Sequence, residues 1–306
     1  MVEQTKIEWA DHTFNPWEGC QKVGPGCDNC YAEARNARFG GGAPPNWGPG
    51  AARRRTSPAN WRKPLKWNED AAGFAEKHGR RQRVFCASLA DVFDNAIDPA
   101  WRSDLFALVD QTPNLDWLLL TKRVGNVQGL LEEIGRPELP LGVWLGATIV
   151  NQQEANRDIP KLLLIPAAKR FLSMEPLLGP VQLRAIGTLR FPGAEVLNAL
   201  TGTLEGMFGD YCSRRLPALD WIIVGGESGP DARPMHPDWV AKIQSDCELY
   251  RVPFLFKQWG EHRADKIGPE DARSISYPPG HVIYKRVGKK AAGRKLFGVE
   301  HNGFPA

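Results

Sequence analysis

The chain is poor in several residue types that often announce a simple chemistry. It has six histidines, six cysteines, five tyrosines and four methionines among 306 residues. No apolar run approaches the ~20 residues of a membrane-spanning helix, so no membrane association is expected. Residues 1–6 carry no apolar segment of the signal-peptide kind, and the expected compartment is the cytoplasm. Thiols stay reduced there, so clustered cysteines mean metal more often than disulfide. Neither charge sign dominates. Thirty-nine Lys and Arg stand against 35 Asp and Glu, a net charge of +4. Internal repeats and clear inter-domain linkers are also missing.

The cysteines that are present are not evenly spread. Three fall in Cys20-Gln-Lys-Val-Gly-Pro-Gly-Cys27-Asp-Asn-Cys30-Tyr31. Gly24, Pro25 and Gly26 favour a tight loop there. Such a loop can aim three sulfurs at one place, as in an iron–sulfur cluster or a metal centre with an open position. Two other readings stand beside it. The three could form a structural zinc site completed by His12 or a distant cysteine, or they could be buried thiols. A helix predicted from Cys30 to Arg38 would put the last cysteine at a helix N-terminus, where the dipole favours thiolate. Cys86, Cys212 and Cys247 are scattered and read as small core residues.

Hydrophobic residues make up 42% of the chain, including eleven tryptophans, so a sizeable core is expected. Charge is clustered. Between Arg53 and Arg83 lie ten Lys and Arg against three acids, with Trp47, Trp61 and Trp67 in or beside the run. A second run comprises Lys285, Arg286, Lys289, Lys290, Arg294 and Lys295. Interleaved cations and rings suit DNA or RNA, and both runs (53–83 and 285–295) are candidate contacts; a solvated surface is the alternative.

From residue 83 onward, short apolar segments alternate with helical ones. Strands are expected at 83–88, 116–121, 143–149, 169–173, 220–225 and 253–257, after a first strand within 7–18. Helices are expected at 99–111, 125–134, 152–164 and 237–250. This rhythm means parallel βαβ units, an α/β fold of about seven strands that closes as a partial or full barrel. An open doubly wound sheet is the second possibility. Residues 1–260 are expected to form one barrel-like domain. Residues 40–80 are a basic, Gly/Pro-rich insertion, and 184–217 a second insertion with a helix near 194–201. Residues 261–306 are expected to be an irregular basic extension.

Barrel chemistry gathers where strands end. Polar residues recur there: Ser88 and Asp91, Thr121-Lys122-Arg123, Thr148, Ser173 and Glu175, Gly225-Gly-Glu-Ser-Gly229 with Arg233, and Lys257-Gln258. A single serine could be a helix cap, and the glycine stretch a tight turn. Six strand ends delivering polar side chains to one rim favour a site.

These segments, read together from Ile7-Glu-Trp9 to Phe256-Lys-Gln-Trp259, resemble a three-cysteine-motif protein family common in phages and bacteria. That family is similar to radical S-adenosylmethionine enzymes. The resemblance implies a [4Fe-4S] cluster on Cys20, Cys27 and Cys30, S-adenosyl-L-methionine as second cofactor, and an electron donor as partner. Reductive cleavage to a 5′-deoxyadenosyl radical would then act in nucleic-acid or nucleotide repair or modification. The first cysteine gap holds six residues where the usual pattern has three, and Asn29 stands where an aromatic is usual. Leu120-Thr-Lys122 looks most like spore photoproduct lyase. By that likeness Ser88 and Lys122 would contact the cofactor, Thr148 its ribose, and Arg233 the cofactor or substrate. Glu175 and Glu227 are the candidate catalytic carboxylates, and Cys86 is a candidate hydrogen-atom donor. Two rivals remain at this stage: a nucleic-acid-binding protein with a structural three-cysteine metal site, and a metal-dependent hydrolase using Asp91, Glu175 and Glu227.

Overall fold

Seven parallel strands in strict chain order make the frame of the molecule. The structure is a computed structural model and describes residues 5, 7–187, 196–206, 211–266 and 282–306. We number the strands β1 (His12–Phe14), β2 (Gln82–Cys86), β3 (Leu115–Thr121), β4 (Val143–Thr148), β5 (Lys169–Met174), β6 (Trp221–Gly225) and β7 (Phe254–Gln258). Each pairs in parallel with the next, and β1 and β7 are the two edges of an open half-barrel. The flanking helices are α1 (Tyr31–Phe39), α2 (Pro99–Gln111), α3 (Val127–Glu133), α4 (Gln152–Leu164) and α5 (Pro237–Leu249). The bounds of α2 and α4 are those expected from sequence. Pro99 opens α2 behind an Asp98 cap, and Asn151 caps α4 by accepting from the Glu154 N–H.

Alternation along the strands sorts side chains into two layers. Outward residues, among them Val84, Cys86, Leu119, Ala147, Leu172 and Val224, pack with Leu105, Ile159 and Val240 of the helices. Inward residues form a second cluster: Trp9, Phe85, Leu118, Trp144, Phe171, Trp221, Ile223 and Leu255. Gly146 is required in that layer, because a Cβ there would lie 2.3–2.6 Å from the Phe171 ring. Toward the strand C-termini the inward positions become polar. Trp144 is followed at two-residue spacing by Gly146 and Thr148, Phe171 by Ser173 and Glu175, and Leu118 by Leu120 and Lys122.

The opposite end of the half-barrel is closed by the chain's last residues. Phe256 N–H donates to His301 O, Gly303 N–H to Phe254 O and Trp221 Nε1 to Gly303 O. This strap covers the β7 edge, which would otherwise offer unpaired backbone groups. Phe304 packs 5.1 Å from Trp221, and the Arg83 guanidinium lies over both Phe304 and Trp144.

Three expectations differ from the structure. Residues 196–198, expected to be helical, are a strand in a four-stranded antiparallel sheet with Ile186–Gly187, Thr203–Glu205 and Tyr211–Arg215. A three-residue strand is too short for periodicity to reveal. The segment after 260, expected to be irregular, contains an antiparallel pair, His262–Lys266 with Val282–Arg286. The 40–80 segment contributes a two-residue strand, Arg54–Arg55, paired with Trp17–Glu18. Cys86 and Cys247 are fully buried core residues as read, while the Cys212 side chain lies outside the described residues. No helix among the described residues is long and apolar enough to cross a membrane.

Candidate active site

The polar strand ends and the cysteine loop surround one cavity of about 740 Å³. That is within the range of small-molecule and cofactor sites. Cys20, Cys27 and Cys30 all line it, together with Ser88, Lys122, Thr148, Glu175 and Glu227. Eight of the ten residues picked out from sequence therefore meet at one place.

The loop owes its position to close packing below it and ion pairs on both flanks. A Cβ on Gly26 would lie 2.7 Å from Val150 Cγ1, and one on Gly24 would lie 2.7 Å from Glu154 Oε1. Glycine at both points lets the loop sit directly on the start of α4. Cys27 ends a short 3₁₀ turn, and Cys30 is the residue that precedes α1. No side chain caps that helix start, so its free N–H groups face the cysteine side.

On one flank, Arg123 reaches the first cysteine. Its Nη1 and Nη2 donate to Cys20 Sγ at 3.5 and 3.6 Å, and Nη2 donates to Gln21 O at 2.8 Å. The guanidinium is itself held by Asp91 at 2.9 Å. Asp91 also accepts from Thr121 Oγ1, Lys122 N and Phe93 N, so its carboxylate is fully engaged in fixing the β3 turn. As a free thiol, Cys20 is pushed up to about 11 by burial, with Arg123 acting in the opposite direction.

On the other flank, Glu227 and Arg233 form a latch. Arg233 donates to Glu227 from N, Nε and Nη2 at 2.6–2.9 Å. It also donates to Asp28 Oδ2 at 2.9 Å and Pro25 O at 2.8 Å. Asn29 Nδ2 completes the latch by donating to Glu227 Oε2 at 3.1 Å. Burial would raise the Glu227 carboxyl, but the Arg233 and Asn29 hydrogen bonds outweigh it and hold the group below its ordinary 4.5. The stability it contributes is thus present above that pH and is lost as pH falls through the lower folded-state value. Glu227→Gln should destabilise the protein by about 1.5–3 kcal/mol at pH 7, the usual range for hydrogen bonds to a charged group. In thermal melts from pH 7 to pH 3, the gap between wild type and variant should close in acid. A gap unchanged at pH 3 would contradict this reading.

The inner wall carries a further pair. Lys257 Nζ lies 3.0 Å from Glu175 Oε1, and Ser173 Oγ donates to Glu175 Oε2 at 3.2 Å. Gly225 leaves room for this carboxylate, since a Cβ there would lie 2.4 Å from Glu175 Oε1. An irregularity in the β6–β7 register pairs Gly225 with Gln258, and both Lys257 and Gln258 line the cavity. Register breaks of this kind re-aim side chains. Ser88 is held by a reciprocal hydrogen bond with the Asn15 amide, and Lys122 Nζ donates to Thr148 Oγ1 at 3.4 Å. Tyr31 OH donates to Ser88 O at 2.6 Å.

Two sequence candidates are placed differently. Cys86 does not line the cavity; it is fully buried in the outer layer, where burial raises its thiol. The strand ends at Cys86, so the two-residue alternation does not extend to Ser88, and Phe85 is the inward residue. Arg233 is not among the lining residues either, and it serves the loop as a latch. His12 is remote from the thiols, with Nε2 bonded to Gln82 Oε1 at 2.6 Å and its ring stacked on Trp67. Among the described residues, no three His, Cys, Asp or Glu side chains gather at the spacing of a single metal ion. Asp91, Glu175 and Glu227 are each paired with a separate cation, Arg123, Lys257 and Arg233 respectively. Arg123, Asn15, Asn29, Lys257 and Gln258 are site residues that had no assigned role from sequence. Their only signal was position at a strand end or beside a cysteine.

The basic run 53–83 is also reordered by the fold. Arg53 and Arg83 are buried, and Arg54, Arg55, Arg80 and Arg81 pair with Glu18, Asp104, Asp11 and Asp116. Trp67 is a core residue and Trp61 packs against the core. Trp47, by contrast, lines the cavity with the exposed Arg35 and Lys289.

A family profile described as "Protein of unknown function (DUF5131)" matches residues 4–305, nearly the whole chain. The chain belongs to the DUF5131 family. No curated protein matches this DUF5131 chain. Among solved structures, it is similar to a spore photoproduct lyase double mutant with bound AdoMet and dinucleoside spore photoproduct. The identity is 14% and the TM-score 0.38, over 57% of this chain and 48% of that one. The DUF5131 chain thus spans about half the length of that enzyme.

Proposed function

We propose that this protein is a radical S-adenosylmethionine-type iron–sulfur enzyme. One observation carries the reading: three cysteines from one loop line the same cavity as the polar ends of a parallel half-barrel. A cluster distributes its three thiolates over three irons, so the ligand set need not gather at the spacing of a single ion. Cys20, Cys27 and Cys30 would hold a [4Fe-4S] cluster, and Ser88, Lys122 and Thr148 would hold S-adenosylmethionine. When bound, the cluster would supply the electron that cleaves the sulfonium reductively, taken from an external electron donor.

The residues present fit such ligands. Gln258 is 7% exposed and Trp9 3% exposed, and among the described residues neither Gln258 Oε1 nor Trp9 Nε1 has a hydrogen-bond partner. Both line the cavity. Buried polar atoms normally find partners, so an unpartnered acceptor and donor on a cavity wall favour a polar occupant. Lys122 keeps donors free for a carboxylate. The apolar floor of Phe85, Leu120 and Trp9 closes the site from below, which leaves the exposed side as the route for water. Arg35, Lys289 and Trp47 on that side support an anionic, ring-bearing substrate such as a nucleotide or nucleic acid.

The test is anaerobic reconstitution of the full chain with iron and sulfide. Expected are about four irons per chain, a paramagnetic signal on reduction, and dithionite-dependent release of 5′-deoxyadenosine from S-adenosylmethionine. Stoichiometric zinc with no cofactor cleavage would overturn the reading.

A further inference from the structure

We infer that Arg123 sets the redox behaviour of the centre by donating hydrogen bonds to the sulfur of Cys20, which makes it a positioning and tuning residue. The inference rests on the cluster reading above, and its geometry is independent of any bound group. Among the described residues, Cys20 is the one cysteine of the three with a guanidinium fork against its sulfur, both Nη atoms at 3.5–3.6 Å. The fork is not free to swing. Asp91 holds Nη1 at 2.9 Å, Gln21 O holds Nη2 at 2.8 Å, and the Arg123 and Asp91 side chains are each only 7% exposed. Asp94 Oδ1 lies a further 4.0 Å from Nη2. The carboxylate behind the guanidinium is in turn fixed by Thr121 and two backbone N–H groups.

Such a support is more than a loop anchor requires. The Gln21 carbonyl contact alone would tie Arg123 to the loop. Aiming two charge-bearing N–H groups at a sulfur has a specific electronic consequence. Hydrogen bonds to cluster sulfurs and nearby positive charge favour the reduced, more negative state, and so raise the reduction potential. The low exposure of the pair keeps water from screening the effect. One cluster corner would therefore be electronically distinct from the corners on Cys27 and Cys30.

The experiment compares wild type, Arg123→Lys and Arg123→Gln after anaerobic reconstitution. Iron and sulfide content are measured first, then an electrochemical titration followed by paramagnetic resonance. Arg123→Lys keeps a cation opposite Asp91 and loses the fork. It should load iron normally, yet show at least a tenfold lower reduced-to-oxidised ratio at fixed poise, a shift of about 59 mV for one electron. Arg123→Gln should shift further in the same direction. Wild-type potentials in variants that load iron would overturn the inference.

A measurement on wild type alone guards against variants that fail to fold. Protein labelled with ¹⁵N in its arginines should show a ¹⁵N coupling to the reduced centre in pulsed paramagnetic resonance. Absence of that coupling in a loaded sample would also overturn the inference. Absence of any cluster in wild type would instead defeat the underlying reading, so the two failures are distinguishable.

Discussion

Cys27→Ala should leave a folded protein that no longer loads iron and sulfide and no longer cleaves S-adenosylmethionine under dithionite. The side chain is small and only 8% exposed, at the end of a 3₁₀ turn whose Cys27 N–H bonds to Gly24 O at 2.9 Å. None of that backbone geometry needs the sulfur. Removing groups that merely orient metal ligands typically costs 10–100-fold. Removing a ligand itself should cost more than ~100-fold, to the assay background. Cys86→Ala is the matched control, because that thiol lies in the outer core and not on the cavity. It should lose some stability and keep both iron and cleavage. Equal iron content in Cys27→Ala and wild type would remove Cys27 from the ligand set.

Arg53→Ala should be among the most destabilising single changes in the chain. Arg53 and Asp94 have side chains 1% and 0% exposed, and Nε and Nη2 both donate to Asp94 Oδ2. Nη1 also donates to Asn46 O, Gly48 O and Ala51 O, so one guanidinium gathers the whole 46–53 turn. Truncation strands a buried carboxylate, at a cost of about 3–5 kcal/mol. At roughly 2–4 °C per kcal/mol, the melting temperature should fall by about 6–20 °C. Arg53→Lys should recover only part of this, since an ammonium cannot reproduce the fork. Any salt-dependent binding of DNA or RNA that wild type shows should keep its slope where the variant is folded, because the Arg53 side chain is only 1% exposed. A lost salt dependence with unchanged stability would reverse the assignment.

The cysteine loop, the strand-end polar residues and the alternation of βα units are all legible in the sequence alone. Each is a local signal: Gly24 and Gly26 around Pro25, apolar runs four to six residues long, Pro99 at a helix start, Asn151 at a cap. What local signals could not supply was the facing of side chains. Cys86 reads as equivalent to Ser88 only if the strand continues, and it stops at Cys86. Arg53 and Lys289 look alike in a charge count. One is buried against Asp94 while the other stands exposed at the cavity. Arg233 and Lys122 both follow strand ends, yet one spends its donors on Glu227, Asp28 and Pro25 and the other faces the interior. For Arg53 and Arg233 the deciding partners include Asp94, 41 residues away, and Asp28, 205 residues away in the chain.

The sequence by itself determined the parallel α/β architecture, the three-thiol loop and the set of polar strand ends. Periodicity and turn chemistry act over a few residues, and a single chain displays them in full. Only the tertiary structure decided that the sheet stays open between β1 and β7, and that the last residues close its base. It also decided which cations are spent on carboxylates, and that Arg123 points at Cys20. Those outcomes turn on burial and long-range pairing, which determine the partner of a charge only once the chain has folded around it.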